Sequence, residues 1–426
     1  MVVELLNTGS ELMLGRVLNT HQQWLCRQLA DLGMVVSRQV AVPDTANDIQ
    51  GAIREALGRA DLLITTGGLG PTSDDLTREL LAQLLGKSLR EDPAVLAHIR
   101  RFFEERKRPM PERVRVQALV PEGATVLHNP HGTAPGLALE VRPNPFRPDG
   151  AASWLILLPG PPRELRPMFT DTVVPMLTRV FPQRNQFICR TLRSTGIGES
   201  MVEQRVGQKL EPLVKAGLEL GYCARPGQVD VRLAARGDRA EQLVSQAQSL
   251  VQCNLGDRIY TVGDEELEAT LIRLLTERKK TLALAESCTG GCIAHRLTNV
   301  PGASAVLRGG FVTYSNESKQ NLLGVEANTL AAHGAVSEPV ARQMAEGARQ
   351  RLNADYALAV TGIAGPSGGT PTKPVGTVFI ALAAPDETVV EHQINAWDRE
   401  TFKQVTAQQA MDLLRRKVLL HTSNEM

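Results

Sequence analysis

Aromatic residues are scarce in this chain. Phe, Trp and Tyr make up 4% of its 426 residues, with only three tryptophans and four tyrosines. Recognition of bases by stacked rings has few side chains to draw on, and the cores must be aliphatic. Cysteine is equally sparse. Its six copies show no framework spacing, which excludes a small disulfide scaffold and points to reduced thiols in a cytoplasmic protein. An excess of one charge is also missing. There are 47 Lys and Arg against 46 Asp and Glu, a formal net charge of +1, so no global field draws the chain to nucleic acid or an anionic membrane. No apolar run approaches the roughly 20 residues of a spanning helix. The opening MVVELLNTGSEL lacks the basic-then-apolar pattern of a secretory signal. No internal repeat and no low-complexity tract is evident.

What is present is an ordinary globular balance, 42% hydrophobic and 22% charged, in a chain long enough for two or three domains. The first 170 or so residues alternate between strand-like and helix-like segments. Val2–Leu6 is a short apolar run, read as a buried strand. A helix capped at Thr20 carries Trp24, Leu25, Leu29 and Leu32 on one face and ends at Gly33. Met34–Val42, Asp61–Thr66 and Trp154–Leu158 read as further strands, with helices over Ile49–Leu57 and Leu76–Leu85. Such alternation predicts a parallel sheet covered by helices on both faces, with a crevice beyond the carboxyl ends of its strands. From Phe181 the segments become shorter and more polar, which suggests a small α+β domain over 181–263. Strand–helix alternation resumes in 264–421. The N-terminal unit is placed at 1–172, and each flank is expected to own a core.

Strand Asp61–Thr66 runs into Gly67-Gly68-Leu69-Gly70-Pro71-Thr72-Ser73-Asp74-Asp75. Glycines at a strand-to-helix junction let backbone N–H groups approach a ligand, and the following helix start favours anions. Asp74 and Asp75, read as lying in the first helical turn, are candidates to hold a divalent cation against a phosphate. Glu11 is the candidate third carboxylate. The plainer reading is that the aspartates complement the helix dipole and that Glu11 is a solvated loop residue. Two other loops belong at the same sheet edge, Gly9-Ser10-Glu11-Leu12 and Pro159-Gly160-Pro161-Pro162. These pieces, GSELMLGRVLNT, TTGGLGPTSDDLTRE, GTAPG at Gly132–Gly136 and LPGPPREL, resemble the molybdopterin-binding fold, in the form found at the N-terminus of CinA proteins. That resemblance implies a three-layer domain that hydrolyses the pyrophosphate of ADP-ribose. It further implies a divalent cation (Mg²⁺ or a transition metal such as Co²⁺), with K⁺ as a second ion. Gly67, Gly68, Gly70, Ser10 and Gly160 are the expected substrate contacts.

In the last third, strand Leu282–Ala285 leads into Glu286-Ser287-Cys288-Thr289-Gly290-Gly291. A serine at a strand-to-helix turn is placed as an exposed nucleophile, with helix-start amides available for an oxyanion. Lys319 follows a second strand and would serve as base if burial lowered its pKa. Taken alone, Ser287 as a helix cap and Lys319 as a solvated lysine are the commoner cases. The segments ESCTGG, VPGAS, GGFVTYSNESK, HGAVSEPVA, VTGIAGPSGG and KPVGTV resemble the C-terminal domain of CinA, whose stand-alone relatives deamidate nicotinamide mononucleotide. The resemblance implies amide hydrolysis by Ser287, Tyr314 and Lys319 without a cofactor. Thr361 and the following glycines, Gly362 and Gly365, would help hold substrate, and its phosphate would suit backbone N–H groups around Thr289, Gly290 and Gly291 or around Gly362–Gly365. Cys288 is a rival nucleophile, and Cys288 with Cys292 a rival metal pair.

The basic stretch Arg100–Arg108 contains glutamates and reads as a solvated helix. The middle segment resembles the KH-type connecting domain of CinA, without the basic GXXG loop that clamps RNA, so it is read as a spacer. The expected protein is thus an α/β hydrolase of pyridine nucleotides with two sites. Its expected partners are nicotinamide mononucleotide, ADP-ribose and a second copy of itself, with neither membrane nor nucleic acid. The rivals are a competence or DNA-damage accessory protein without turnover, and a molybdopterin-binding module.

Overall fold

The computed structural model describes residues 1–182 and 187–423, so residues 183–186 at the start of the expected connecting domain lie outside it. The chain forms two compact units, 1–187 and 188–426. In the first, β1 (Val3–Thr8), β2 (Val36–Val42), β3 (Leu62–Thr66), β4 (Leu89–Glu91), β5 (Leu119–Pro121), β6 (Thr125–Leu127), β7 (Gly136–Val141) and β8 (Ser153–Leu158) follow in chain order. The main sheet has the order β2-β1-β3-β8-β7-β6, and β4 pairs with β5 separately. Strands β2, β1, β3 and β8 are mutually parallel, as the alternation predicts. The last two are antiparallel, because β6, β7 and β8 follow one another through short connections rather than crossover helices.

Side-chain alternation builds the layers. Val3, Leu5, Leu62, Ile64, Ile156 and Leu158 enter one core, while Leu6, Leu63, Leu155 and Leu157 enter another on the opposite face. Helix Thr20–Asp31 buries Leu25 and Leu29, and its cap is Asn19, whose side chain accepts from Gln22 N, rather than Thr20. Helix Ala46–Leu57 buries Ile49 and Ile53 and is capped by Thr45.

The second unit holds two sheets. Strands β9 (Phe187–Thr195), β10 (Glu219–Arg225), β11 (Gln228–Arg236) and β12 (Ile259–Val262) form a sheet ordered β10-β11-β9-β12. Helices Glu199–Lys215 and Ala240–Leu255 cover it with Val202, Val206, Leu243 and Val251. Strands β13 (Leu282–Glu286), β14 (Leu307–Val312), β15 (Tyr356–Gly362), β16 (Thr377–Ala383) and β17 (Thr388–Ile394) are ordered β14-β13-β15-β16-β17. The first three are parallel and the last two antiparallel. Its two faces differ in size. Leu282, Leu284, Leu358, Val360 and Ile380 meet the long helix Arg399–Ser423 and its neighbours. Ala283, Ala285, Ala357, Ala359 and Ala381 face the alanine-rich helix Glu338–Arg351, and small residues on both sides let that helix approach closely.

The connecting sheet is bound into the C-terminal part. Tyr260 of β12 belongs to the core containing Leu282 and Met411. Arg193, 1% exposed, pairs with Glu266 at 2.6 Å, and Arg225 reaches the same carboxylate at 3.1 Å. Gln408 of the last helix donates to the Thr195 hydroxyl. No helix among the described residues is long and apolar enough to cross a membrane.

Candidate functional site

In the C-terminal part, β13 ends at Glu286 and the chain turns sharply at Ser287. Ser287 N donates to Val360 O of the neighbouring β15, which holds the serine at the sheet's carboxyl edge. Gly290 and Gly291 take φ of 60° and 94°, left-handed values that a β-carbon would strain. They bring the chain around into helix Cys292–Thr298. The helix amides are not open to a ligand. The buried carboxylate of Glu286 accepts from the N–H groups of Gly291 (3.0 Å), Ile293 (3.1 Å) and Ala294 (2.8 Å). The protein's own anion thus occupies the helix start, and of the amides expected to face an oxyanion or phosphate there, those of Gly290 and Gly291 are already bonded, to Ser287 O and to Glu286. Accordingly Thr289, Gly290 and Gly291 lie outside the pocket lining. Thr289 is fully buried.

Strand β14 leads to Lys319. After it, Ser315 caps helix Asn316–Leu323 in a reciprocal box with Ser318, which puts Lys319 on the inward side of the first turn. Lys319 is 1% exposed. Its Nζ lies 3.0 Å from Ser287 Oγ and donates to Thr313 O at 2.7 Å. Burial pushes its pKa below the ordinary lysine value. No carboxylate is bonded to it: Nζ donates to Thr313 O and to Ser287 Oγ, and burial favours its neutral form. The expected pair of Ser287 and Lys319, separated by 32 residues, is thus in direct contact.

The pocket around them has a volume of about 280 Å³ and is also lined by Tyr314, Thr361, Gly362 and Gly365. Tyr314 sits at its mouth, 64% exposed, and its hydroxyl accepts from Arg399 Nη2 at 2.8 Å. Arg399 also donates to Gly365 O. Thr361 is buried and spends its hydroxyl on Ala335 O, so it props a wall of the pocket. Arg399 was missed by sequence reasoning. It starts the final helix, far along the chain from ESCTGG, and no local pattern marks it. Cys288 is a poor rival nucleophile, since burial pushes its thiol up to about 12. Cys292 faces Gln404 and is raised by burial as well, and the two cysteines belong to no metal-binding group among the described residues.

The N-terminal cavity, about 430 Å³, lies beyond the carboxyl ends of β1, β3 and β8, where the three loops were expected to meet. Gly67 and Gly68 take φ of 98° and 68°, and a β-carbon on Gly68 would fall 2.0 Å from Thr77 Oγ1. Gly70 and Gly160 line the cavity with them. Ser10 does not: its N–H donates to Asp44 Oδ2 and its hydroxyl accepts from Asp44 N, tying the loops after β1 and β2 together. His21 Nε2 donates to Gly160 O and steadies the Pro-rich loop.

Carboxylates dominate this cavity: Glu11, Asp44, Asp74, Asp75 and Glu164 line it, and no Lys, Arg or His does. Asp44 and Glu164 were missed, the first because it follows a strand with no motif around it. Asp74 and Asp75 precede the helix, which starts at Thr77, rather than occupying its first turn. Asp75 Oδ2 accepts from both the N–H and the hydroxyl of Thr72, so it shapes the turn. Among the described residues no three His, Cys, Asp or Glu side chains converge into a metal-binding group. Glu11, Asp74 and Asp75 therefore share a cavity without forming a closed cage. An all-oxygen donor set with one or two available carboxylates still suits a hard cation that takes its remaining ligands from phosphate oxygens and water.

Comparisons with known proteins identify the family. Residues 4–179 match the family described as "Probable molybdopterin binding domain", 189–261 "Damage-inducible protein CinA KH domain", and 264–418 "CinA C-terminal domain". The chain is 44% identical to a "competence-damage inducible protein" of Caldicellulosiruptor bescii over 98% of this chain and 100% of that one. It is 43% identical to a "CinA-like protein" of Akkermansia muciniphila over 96% and 95%. A crystal structure of the competence/damage inducible protein CihA from Agrobacterium tumefaciens matches 35% of this chain and 92% of its own, at 42% identity and a TM-score of 0.35. With the three segments in order and relatives of this identity spanning nearly the full length, the chain belongs to the CinA family.

Proposed function

We propose that the protein is a bifunctional hydrolase of pyridine-nucleotide turnover: the C-terminal domain deamidates nicotinamide mononucleotide, and the N-terminal domain hydrolyses the pyrophosphate of ADP-ribose. The observation that carries the first activity is the buried contact of Lys319 Nζ with Ser287 Oγ. A neutral Lys319 accepts the serine proton as Oγ bonds to the carboxamide carbon, and the ammonium so formed lies beside the developing oxyanion. Collapse of that adduct breaks the C–N bond. Lys319 returns its proton to the departing nitrogen, and ammonia leaves an ester on Ser287. Lys319 then takes a proton from water as it attacks the ester, and Ser287 regains a proton as the acid departs. No step needs a metal. The exposed Tyr314 and Arg399 at the mouth supply a hydroxyl and a charge for the rest of the substrate.

For the second activity, the acidic lining itself is the argument. A pyrophosphate entering among five carboxylates is repelled unless a cation neutralises it. Asp74 and Glu11, both exposed at the cavity, would hold a divalent cation. When bound, that ion supplies charge neutralisation and polarisation of a phosphoryl oxygen. Backbone N–H groups of the glycine turn orient the phosphates. K⁺ as a further ion, a homodimer and a cytoplasmic setting complete the proposal.

The test is direct. The full chain is supplied with nicotinamide mononucleotide and ammonia is measured, then with ADP-ribose and AMP is measured, each with and without chelator. Ammonia release indifferent to chelator and AMP release abolished by it is the expected outcome. Absence of both products would leave an accessory protein without turnover.

A further inference from the structure

We propose that Glu286 is a positioning residue of the amidohydrolase site: by clasping the amides of Gly291, Ile293 and Ala294, its buried carboxylate closes the turn that carries Ser287 and fixes the serine against Lys319. Glu286 has this role on the amidohydrolase reading above, and the role concerns how the nucleophile is held rather than what it binds.

The turn after Ser287 cannot hold itself. It passes through Gly290 and Gly291, residues with the most conformational freedom to lose. The helix it leads into, Cys292–Thr298, has seven residues and no side-chain cap from Gly291. Helices shorter than about 12 residues are marginal on their own, and the first amides of any helix need acceptors. Glu286 supplies them from five residues upstream. Its Oε2 accepts from Gly291 N and Ile293 N, and its Oε1 from Ala294 N.

The main chain of Glu286 is meanwhile locked into the sheet. It pairs with Val312 of β14 and Val360 of β15, and its carbonyl accepts from Thr313 N at 2.8 Å. One residue is therefore fixed to the sheet by its backbone and to the helix by its side chain, and the nucleophile is its next neighbour. Ser287 N donates to Val360 O and Ser287 O accepts from Gly290 N, so both main-chain groups of the serine are held as well. Burying a carboxylate is costly. Glu286 is 1% exposed, and among the described residues no salt bridge reaches it. The three N–H dipoles at the helix start compensate its charge instead. Only a carboxylate can serve all three donors. A glutamine of the same length offers one carbonyl oxygen and would turn its NH₂ toward an N–H.

Two measurements on the full chain test this: ammonia release from nicotinamide mononucleotide, and the rate at which a fluorophosphonate reagent labels Ser287, located by peptide mass spectrometry. Glu286→Gln keeps the length and loses an acceptor, whereas Glu286→Asp keeps the charge and falls one methylene short. In variants whose thermal melts show a folded protein, kcat should fall by ~30- to 100-fold, as for a reacting atom displaced by about 1 Å. KM should stay within about threefold, and labelling of Ser287 should slow in parallel with kcat. Unchanged kcat and labelling overturn the proposal, and so does a loss carried mainly by KM. Should neither variant fold, Ala294→Pro decides. It removes one donor from the clasp in the first helical turn, where proline is tolerated, and should lower kcat and labelling by ~3- to 10-fold; no change in either overturns the proposal. A native chain that is labelled at Ser287 but releases no ammonia defeats the substrate reading alone, and the labelling rates of the variants then decide on the clasp. A native chain that is not labelled at Ser287 overturns both.

Discussion

The N-terminal cavity and the C-terminal pocket both lie beyond the carboxyl ends of parallel strands, behind a turn of left-handed glycines, and each follows a strand buried on both faces. They differ in what the next helix brings. In the C-terminal pocket a lysine is forced into the interior beside Ser287, and its lost hydration lowers its pKa. In the N-terminal cavity four of the five carboxylates are exposed or half-buried and one, Glu164, is buried, while the buried cation of the next helix, Arg78, pairs with Glu79 and does not line the cavity. One site carries its reactivity in its own side chains. The other has to borrow charge from solution. On the proposed function, similar scaffolds would give one metal-independent and one metal-dependent chemistry.

The largest break in that comparison should come from Ser287→Ala. Loss of the nucleophile is expected to cost on the order of 10³-fold or more in ammonia release, with AMP formation from ADP-ribose unchanged. Retention of more than about a tenth of the deamidase rate would remove Ser287 as nucleophile.

Lys319→Met comes next, at about 10²- to 10⁴-fold in rate near neutral pH. The native pH profile carries the same information. Burial lowers the Lys319 pKa, so the neutral amine gains population as pH rises. The acid limb of kcat/KM should climb toward a midpoint below the ordinary lysine value of about 10.4, and Lys319→Met should lack that limb. A profile shared by both proteins would make Lys319 a packing residue.

On the N-terminal side, Asp74→Asn should weaken Mg²⁺-dependent hydrolysis of ADP-ribose by roughly tenfold, measured as a rise in the Mg²⁺ concentration for half-maximal rate. Asp75→Asn is a less clean probe, because Asp75 also holds the Thr72 turn. If Asp74→Asn leaves the metal dependence untouched, the cation is held by other carboxylates of the cavity.

Stability changes should be smaller. Burial raises the Glu266 carboxyl, but the hydrogen bond and charge of Arg193, then of Arg225, outweigh it and hold the pKa below its ordinary value. Its stabilising contribution is therefore present above the unfolded value of about 4.3 and is lost as pH falls through the folded one. Glu266→Gln should cost about 1–2 kcal/mol near neutral pH, discounted because Glu266 is 39% exposed. Thermal melts from pH 7 to pH 3 should show a shallower acid slope for the variant. Least of all should Cys288→Ala matter, within about threefold in rate, because a thiol held up to about 12 contributes no thiolate at neutral pH. A collapse of activity in that variant would shift the nucleophile by one residue.

The Glu266 pairing also bears on how the chain divides. A change of texture near Gly263 marks a boundary in the sequence, and the matched families change there as well. In space Tyr260, Arg193 and Arg225 cross that boundary into the C-terminal core and its first helix. Composition registers local polarity, whereas a contact between residues some 70 positions apart leaves no local trace.

Local chemistry determined much of this protein. Short apolar runs marked β1, β3, β8, β13 and β15, a strand-to-helix turn singled out Ser287, which the fold then buries, and glycine turns marked both strand ends. These features depend on neighbours a few residues away, which the sequence displays directly. The tertiary structure alone decided the rest. It turned the later strands of both mixed sheets antiparallel, placed Lys319 against Ser287, brought Arg399 to the pocket's lining, and set Glu286 on the helix amides. A lysine's pKa and an amide's availability are set by burial and by which groups arrive from distant segments, and those are fixed only when the chain packs.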